Sequence, residues 1–196
     1  MSAVRESGPA DHPRLAASLA AAFQNDPVAK WAAPHDEVRR SVLNSFFLEY
    51  LRQKQRYDTV WCDDELFGAA LWLPPGRSKM GVVDSVNVLR RTARPRMLSR
   101  GPFVAWASFQ VERRHPEEDF FYLTVLGVDP AAQGGGIGSK VLAPALEICD
   151  QDGVGAYLES SKPENIDFYA RHGFRVVGEY KLPRGPVVPL MWRDPR

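Results

Sequence analysis

Apolar positions along the chain change their period several times, and each change marks an element. Leu15, Leu19 and Phe23 recur every four residues, which predicts an amphipathic helix over Asp11–Phe23 with Asp11 as its N-cap. Asn25-Asp26-Pro27 breaks that pattern. Val38, Val42, Phe46 and Tyr50 then lie along one face of a second helix, Asp36–Gln55. Thr59–Cys62 and Phe67–Leu73 read as two strands closed by Pro74-Pro75-Gly76. Arg77–Glu118 is less regular and predicts two helices separated near Pro95 and Gly101-Pro102. Phe120–Val128 is continuously apolar, as expected for the buried centre of a sheet. A helix from Ile137 to Asp150 would turn Ile137, Val141, Ala145 and Cys149 inward, although Pro144 inside it should cost about 3 kcal/mol or impose a kink. Ala156–Glu159 reads as a short strand, and Glu164–His172 as a short helix stopped by Gly173. Phe174–Tyr180 and Val187–Arg193 form strands around the turn Pro183–Pro186, the second with Val188, Leu190 and Trp192 on one face.

Composition narrows the picture. A chain of 196 residues with 44% hydrophobic and 25% charged residues suits one domain that needs no disulfide staples. A net charge of +1 argues against an extended field for nucleic acid or an anionic membrane. Cys62 and Cys149 sit among apolar residues outside any C-x-x-C pair, and read as buried thiols in a reducing compartment. Met1–Ala10 lacks the apolar core of a signal peptide, and no apolar run approaches the ~20 residues that span a bilayer. A cytoplasmic protein is expected. Arg90, Arg91, Arg94, Arg96 and Arg100 read as a solvated helix face, with contact to an anionic ligand group as the alternative. His12, His35, His115 and His172 are scattered, which suggests surface or capping roles and no metal site.

The chemistry concentrates in Gln133-Gly134-Gly135-Gly136-Ile137-Gly138, between a central strand and a helix. No dinucleotide fingerprint fits there, because the final glycine is replaced by Ser139 or Val141. Nor is there an upstream glycine for a P-loop, or a G-x-S-x-G elbow around Ser139. Clustered glycines let backbone N–H groups approach a ligand, and the helix N-terminus adds a positive dipole end, so a diphosphate is the natural guest. A plain connector is the alternative. Gln133-x-x-Gly136-x-Gly138, preceded by Val128-Asp129-Pro130, resembles the pyrophosphate motif of the GNAT superfamily of acyl-CoA-dependent acyltransferases. Asn165-Ile166-Asp167-Phe168-Tyr169-Ala170-Arg171-His172-Gly173-Phe174 resembles its second signature. Within that superfamily the chain is similar to the puromycin N-acetyltransferases, mainly from Tyr122 onward. The likeness rests on Leu123–Val128, Pro144, Leu158-Glu159-Ser160-Ser161, Asn165 and Phe168-Tyr169, with Leu19–Phe23 near the N-terminus. The middle segment does not share it.

The resemblance implies an α/β (α+β) fold with a mixed, mostly antiparallel central sheet flanked by helices. The sheet would splay into a V-shaped cofactor cleft between Phe120–Val128 and Ala156–Glu159. Residues 1–196 would form one acetyltransferase domain, with a helical insertion about 77–118 on the acceptor side. Acetyl-CoA would be co-substrate, its pantetheine pairing with Leu126 and Val128 and oriented by Asn165. Its diphosphate would meet Gln133, Gly134, Gly135, Gly136, Ile137, Gly138 and Ser139. The resemblance makes the Leu126 N–H an oxyanion donor and Tyr169, against the cofactor, the acid that protonates the departing sulfur. Glu159 is the candidate base, directly or through a water. Phe23, Asp26, Trp31 and Trp106 are candidates for the wall around a cationic acceptor. The expected acceptor is the primary amine of a small molecule, an antibiotic or a metabolite. Protein lysines or N-termini are the alternative acceptor, and a non-catalytic acyl-CoA sensor the alternative class. A monomer or a homodimer is compatible with the C-terminal strand and an exposed Trp192.

Overall fold

A computed structural model describes residues 3–57, 59–78, 82–92 and 101–196. Seven strands, β1 (Val4–Glu6), β2 (Val60–Asp63), β3 (Gly68–Leu73), β4 (Phe120–Val128), β5 (Gly155–Glu159), β6 (Arg175–Lys181) and β7 (Val187–Arg193), form one sheet. Its order is β1-β2-β3-β4-β5-β7-β6, and every neighbouring pair is antiparallel except β4 with β5. This is the mixed, mostly antiparallel sheet that the resemblance implied. The helices are α1 (His12–Phe23), α2 (Pro27–Ala32), α3 (Asp36–Lys54), α4 (Val82–Thr92), α5 (Gly101–Glu112), α6 (Ile137–Asp152) and α7 (Ile166–Arg171).

Three apolar cores flank the sheet. On one face, α1 and α3 bury Leu15, Leu19, Phe47 and Leu51 against Val60, Leu71 and Val125. Beside them on that face, Trp31 and Ala107 pack on Phe120, Tyr157, Leu190 and Trp192. On the other face, α6 buries Val141, Leu142, Ala145 and Cys149 against Trp72, Phe121, Leu123 and Leu158. Both cysteines are fully buried, as expected, and α6 runs through Pro144 without interruption. Gly127 lets α1 approach β4 closely: a Cβ there would stand 2.8 Å from Leu19 and 2.9 Å from Phe23.

Several local expectations change. Asp11 does not cap α1 with its side chain; its carboxylate instead accepts from Arg5 at 2.7 and 3.0 Å and from the Gly8 N–H at 2.7 Å. Asn25-Asp26-Pro27 starts a helix as well as ending one. Asp26 caps α2 by accepting from Val28 N and Ala29 N, and Pro27 supplies a favourable first-turn residue. Strand β1 had no sequence signal beyond three residues. Trp192 is only 8% exposed, not a surface residue, and its indole N–H donates to Asp194. Of the arginine-rich segment, Arg90 and Arg91 lie in α4 and are exposed, while Arg94, Arg96 and Arg100 fall outside the described residues. No helix among the described residues is long and apolar enough to cross a membrane.

His12 is also inside rather than at the surface, and its Nε2 lies 2.6 Å from Gln55 Oε1. Burial pulls its pKa below the ordinary 6.5, against the opposing pull of the Gln55 bond and Asp11. The unfolded chain therefore binds the proton more readily, so stability falls as pH drops from 6.5 towards the folded value. His172 shifts in the same direction, also chiefly by burial. Urea midpoints should fall between pH 7.5 and pH 5.5, and His12→Gln should flatten that fall while leaving the His172 share.

Candidate active site

The parallel contact of β4 with β5 lasts only from Phe120↔Gly155 to Leu123↔Leu158. Beyond it β4 continues to Val128 while β5 ends at Glu159, so the sheet opens there. A register shift opposite Leu71/Trp72 helps set the opening: Leu71 pairs with Val125 and Trp72 with Leu123, leaving Thr124 as the extra residue. Asp129 N–H donates to Phe67 O, towards β3. Alternation along the strand then aims the Leu126 and Val128 N–H groups the other way, into the opening.

The glycine turn lies at the far end of β4. Asp129 accepts from Ala131 N at 2.9 Å, and Gln133 Nε2 donates to Val128 O at 2.9 Å, which ties the turn to the strand. Gly134 and Gly136 have φ of 86° and 76°, a region that side chains with a Cβ rarely adopt. Gly136 is the N-cap of α6, and the N–H groups of Ile137, Gly138 and Ser139 lie in its first turn, without intrahelical acceptors. They form an anion-facing end of a long helix. Gly138 lies against Phe168: a Cβ would be 3.5 Å from that ring. The Ser139 hydroxyl lies 2.9 Å from His172 Nε2.

Tyr169 and Asn165 approach from α7, where Asn165 is the N-cap residue but makes no side-chain capping bond. Tyr169 is buried between Phe168 and Phe174, with ring centroids 5.2 and 5.9 Å away. Burial, then the negative charge of Asp26, raise its phenol pKa above 10, so it stays protonated near neutral pH.

On the α1/α3 face the mouth of the opening holds a polar knot in an aromatic box. Glu159 accepts from the Tyr122 hydroxyl on one oxygen and lies 3.1 Å from His115 Nε2 on the other. The rings of His115, Phe120, Tyr122 and Tyr157 surround it, with all six centroid separations between 4.9 and 6.1 Å. Burial and the Glu159 charge raise the phenol pKa of Tyr122 and Tyr157. Tyr50 of α3 is pushed up to about 12 by burial, with Glu159 adding to the shift and Thr124 opposing it. His115 was expected at the surface; its side chain is 7% exposed and belongs to this knot. Sequence reasoning missed it because His115 and Glu159 lie far apart in the chain and only the turn after α5 joins them.

The expected acceptor wall is not assembled as such. Phe23 packs against Phe47, and Trp31 is a core residue whose indole donates to Pro183 O at 2.8 Å. Trp106 lies on α5 with 49% exposure. Asp26 is 2% exposed, and its oxygens already serve Val28 N, Ala29 N and the Ser161 hydroxyl. It joins α2 to the end of β5 and offers no free carboxylate edge to a cation.

Comparison with known proteins agrees with this geometry. Residues 97–174 match the model of the Acetyltransferase (GNAT) family, a stretch that includes β4, the glycine turn, α6, β5 and α7. An uncharacterized N-acetyltransferase of Schizosaccharomyces pombe is 27% identical over 94% of this chain and 80% of its own length. The crystal structure of a histone acetyltransferase HPA2 and related acetyltransferase from Corynebacterium glutamicum superposes with a TM-score of 0.73 at 24% identity, covering 100% of this chain and 97% of that one. A PaiA N-acetyltransferase from Thermoplasma acidophilum, solved with coenzyme A, superposes with a TM-score of 0.59 at 12% identity, covering 99% of each chain. Over residues 97–174 the chain is thus similar to the GNAT acetyltransferases, and its mixed seven-stranded sheet is the fold of the matched structures.

Proposed function

We propose that the protein moves the acetyl group of acetyl-CoA to the primary amine of a small molecule. The observation that carries this reading is the order of parts across the sheet. The glycine turn and Tyr169 approach the β4/β5 opening from the α6 face, and a carboxylate in an aromatic box approaches it from the other. Pantetheine would add to the free edge of β4 at Leu126 and Val128 with Asn165 beside it, and the diphosphate would meet the amides from Gly134 to Ser139. Gln133 holds that turn to β4.

As the amine attacks the thioester carbon, the carbonyl oxygen gains negative charge, which the Leu126 N–H can stabilise. When the carbon–sulfur bond breaks, Tyr169 donates its proton to the departing thiolate. The amine's own proton leaves towards Glu159 and its partners. Residues 77–118 form the acceptor-side part of the same domain in this reading, with α5 covering the aromatic box. A covered acceptor side favours a small amine over a peptide laid in an open groove. The buried free thiols Cys62 and Cys149 suit a reducing cytoplasm.

The test is thiol release from acetyl-CoA with a panel of alkylamines, puromycin, aminoglycosides and lysine-bearing peptides. The expected result is release that depends on a small amine. Release with peptides alone would overturn the small-molecule acceptor. Cofactor binding without release for any amine would favour a sensor over an enzyme.

A further inference from the structure

The aromatic box holds a buried polar atom that the network around Glu159 does not use. His115 Nδ1 has no hydrogen-bond partner among the described residues, and its ring stands 5.3 Å from that of Tyr157. A buried polar atom left unpaired is costly, so an orphan nitrogen in this box marks a place built to receive a polar group. The contact with Glu159 decides what kind of group. A carboxylate can only accept, so His115 Nε2 must carry the hydrogen when Glu159 is ionised. In the neutral ring this leaves a lone pair on Nδ1. The Tyr122 hydroxyl holds the other Glu159 oxygen, so the carboxylate cannot swing away from the imidazole.

Building on the transferase reading above, we infer that His115 is the catalytic base and that the preferred acceptor is a basic alkylamine. The amine enters as its ammonium form. His115 Nδ1 takes one N–H proton, leaving the nitrogen lone pair free to attack the thioester carbon. Glu159 and Tyr122 act as positioning residues: they fix the imidazole tautomer, and Glu159 stabilises the imidazolium that forms. This imidazole–carboxylate logic serves nucleophile activation on unrelated folds. The acyl carbon gains the nitrogen and loses the sulfur, Tyr169 supplies the sulfur's proton and regains one from the second proton that the bonded nitrogen sheds, and the proton on His115 returns to solvent. Among the described α5 side chains only Ala107 is fully buried, whereas Phe103, Trp106 and Phe109 are 44%, 49% and 55% exposed. The cover over the box is therefore its least anchored wall, and the side from which an acceptor enters.

The experiment compares wild type with His115→Gln using two acceptors of similar size, an alkylamine and a fluorinated analogue of much lower basicity. The base is needed only for the first, which is an ammonium ion at neutral pH. The expected result is a fall in kcat/KM of about tenfold or more for the alkylamine and less than threefold for the weakly basic analogue. Equal losses for both would overturn the base role and leave His115 a packing residue. Imidazole 15N spectra of the unliganded enzyme give a readout apart from activity: His115 should show the Nε2–H tautomer, and Glu159→Gln should disturb it. An Nδ1–H tautomer in wild type would overturn the proposal even with turnover intact. If wild type releases thiol with no amine of either kind, the transferase reading itself fails and takes this one with it.

Discussion

Replacing Gly155 with alanine is expected to cost about 3 kcal/mol of stability, at the upper end of the usual overpacking penalty. Strand β5 lies between β4 and β7, so neither neighbour can move aside without disturbing the sheet. Gly155 pairs with Phe120 at the start of the parallel contact, and the indole of Trp192 occupies the space beside it. A Cβ there would stand 2.1, 2.5 and 2.9 Å from three Trp192 ring atoms. Trp192 is itself fixed, 8% exposed and bonded through its indole N–H to Asp194 at 2.7 Å. Urea unfolding of Gly155→Ala should show the loss as a lowered midpoint with an unchanged slope. Trp192→Leu should also destabilise, since it leaves a cavity. The double variant should be more stable than the two single losses predict, by about 1 kcal/mol or more, because the smaller side chain makes room for the new methyl group. Strict additivity would show that the ring is not what excludes a side chain at Gly155.

The sequence made the second half of the chain legible because local and global signals agree there. Phe120–Val128 has the same bounds in the structure, as does Val187–Arg193, and α6 ends only two residues beyond the expected Asp150. The glycine turn carries its own backbone chemistry, so its φ values and its place at a helix N-terminus follow from composition. Legibility failed where tertiary contacts decide. Asp11 looked like a cap, but Arg5 and Gly8 hold its carboxylate. Asn25-Asp26-Pro27 looked like a stop, but the same residues also begin α2. Asp26 and Trp31 had the chemistry of a cation wall, and the fold uses both for its own packing. The most consequential omission is His115. Its meeting with Glu159 depends on where α5 delivers the chain, and no periodicity records that.

Tyr169→Phe is expected to lower kcat for amine-dependent thiol release by about a hundredfold or more while leaving the fold intact. The substitution removes one oxygen. That hydroxyl has no hydrogen bond to any described residue, whereas the ring keeps its contacts with Phe168 and Phe174. The thermal midpoint should therefore stay close to that of wild type. The direction of the pKa shift supports a donor rather than an acceptor. Burial and the nearby Asp26 charge disfavour the phenolate, so the proton is on Tyr169 when the carbon–sulfur bond breaks. A thiolate forming in the same buried site is also poorly solvated, which favours its taking that proton. Because the proton moves only in that step, KM for acetyl-CoA and for the amine should change little while kcat falls. An acetyl donor with a more acidic thiol should shrink the loss, since its thiolate departs without help. A fall in kcat of less than threefold, or the same loss with both donors, would take Tyr169 out of the chemistry. The sulfur would then leave as a thiolate, stabilised by the surrounding backbone alone.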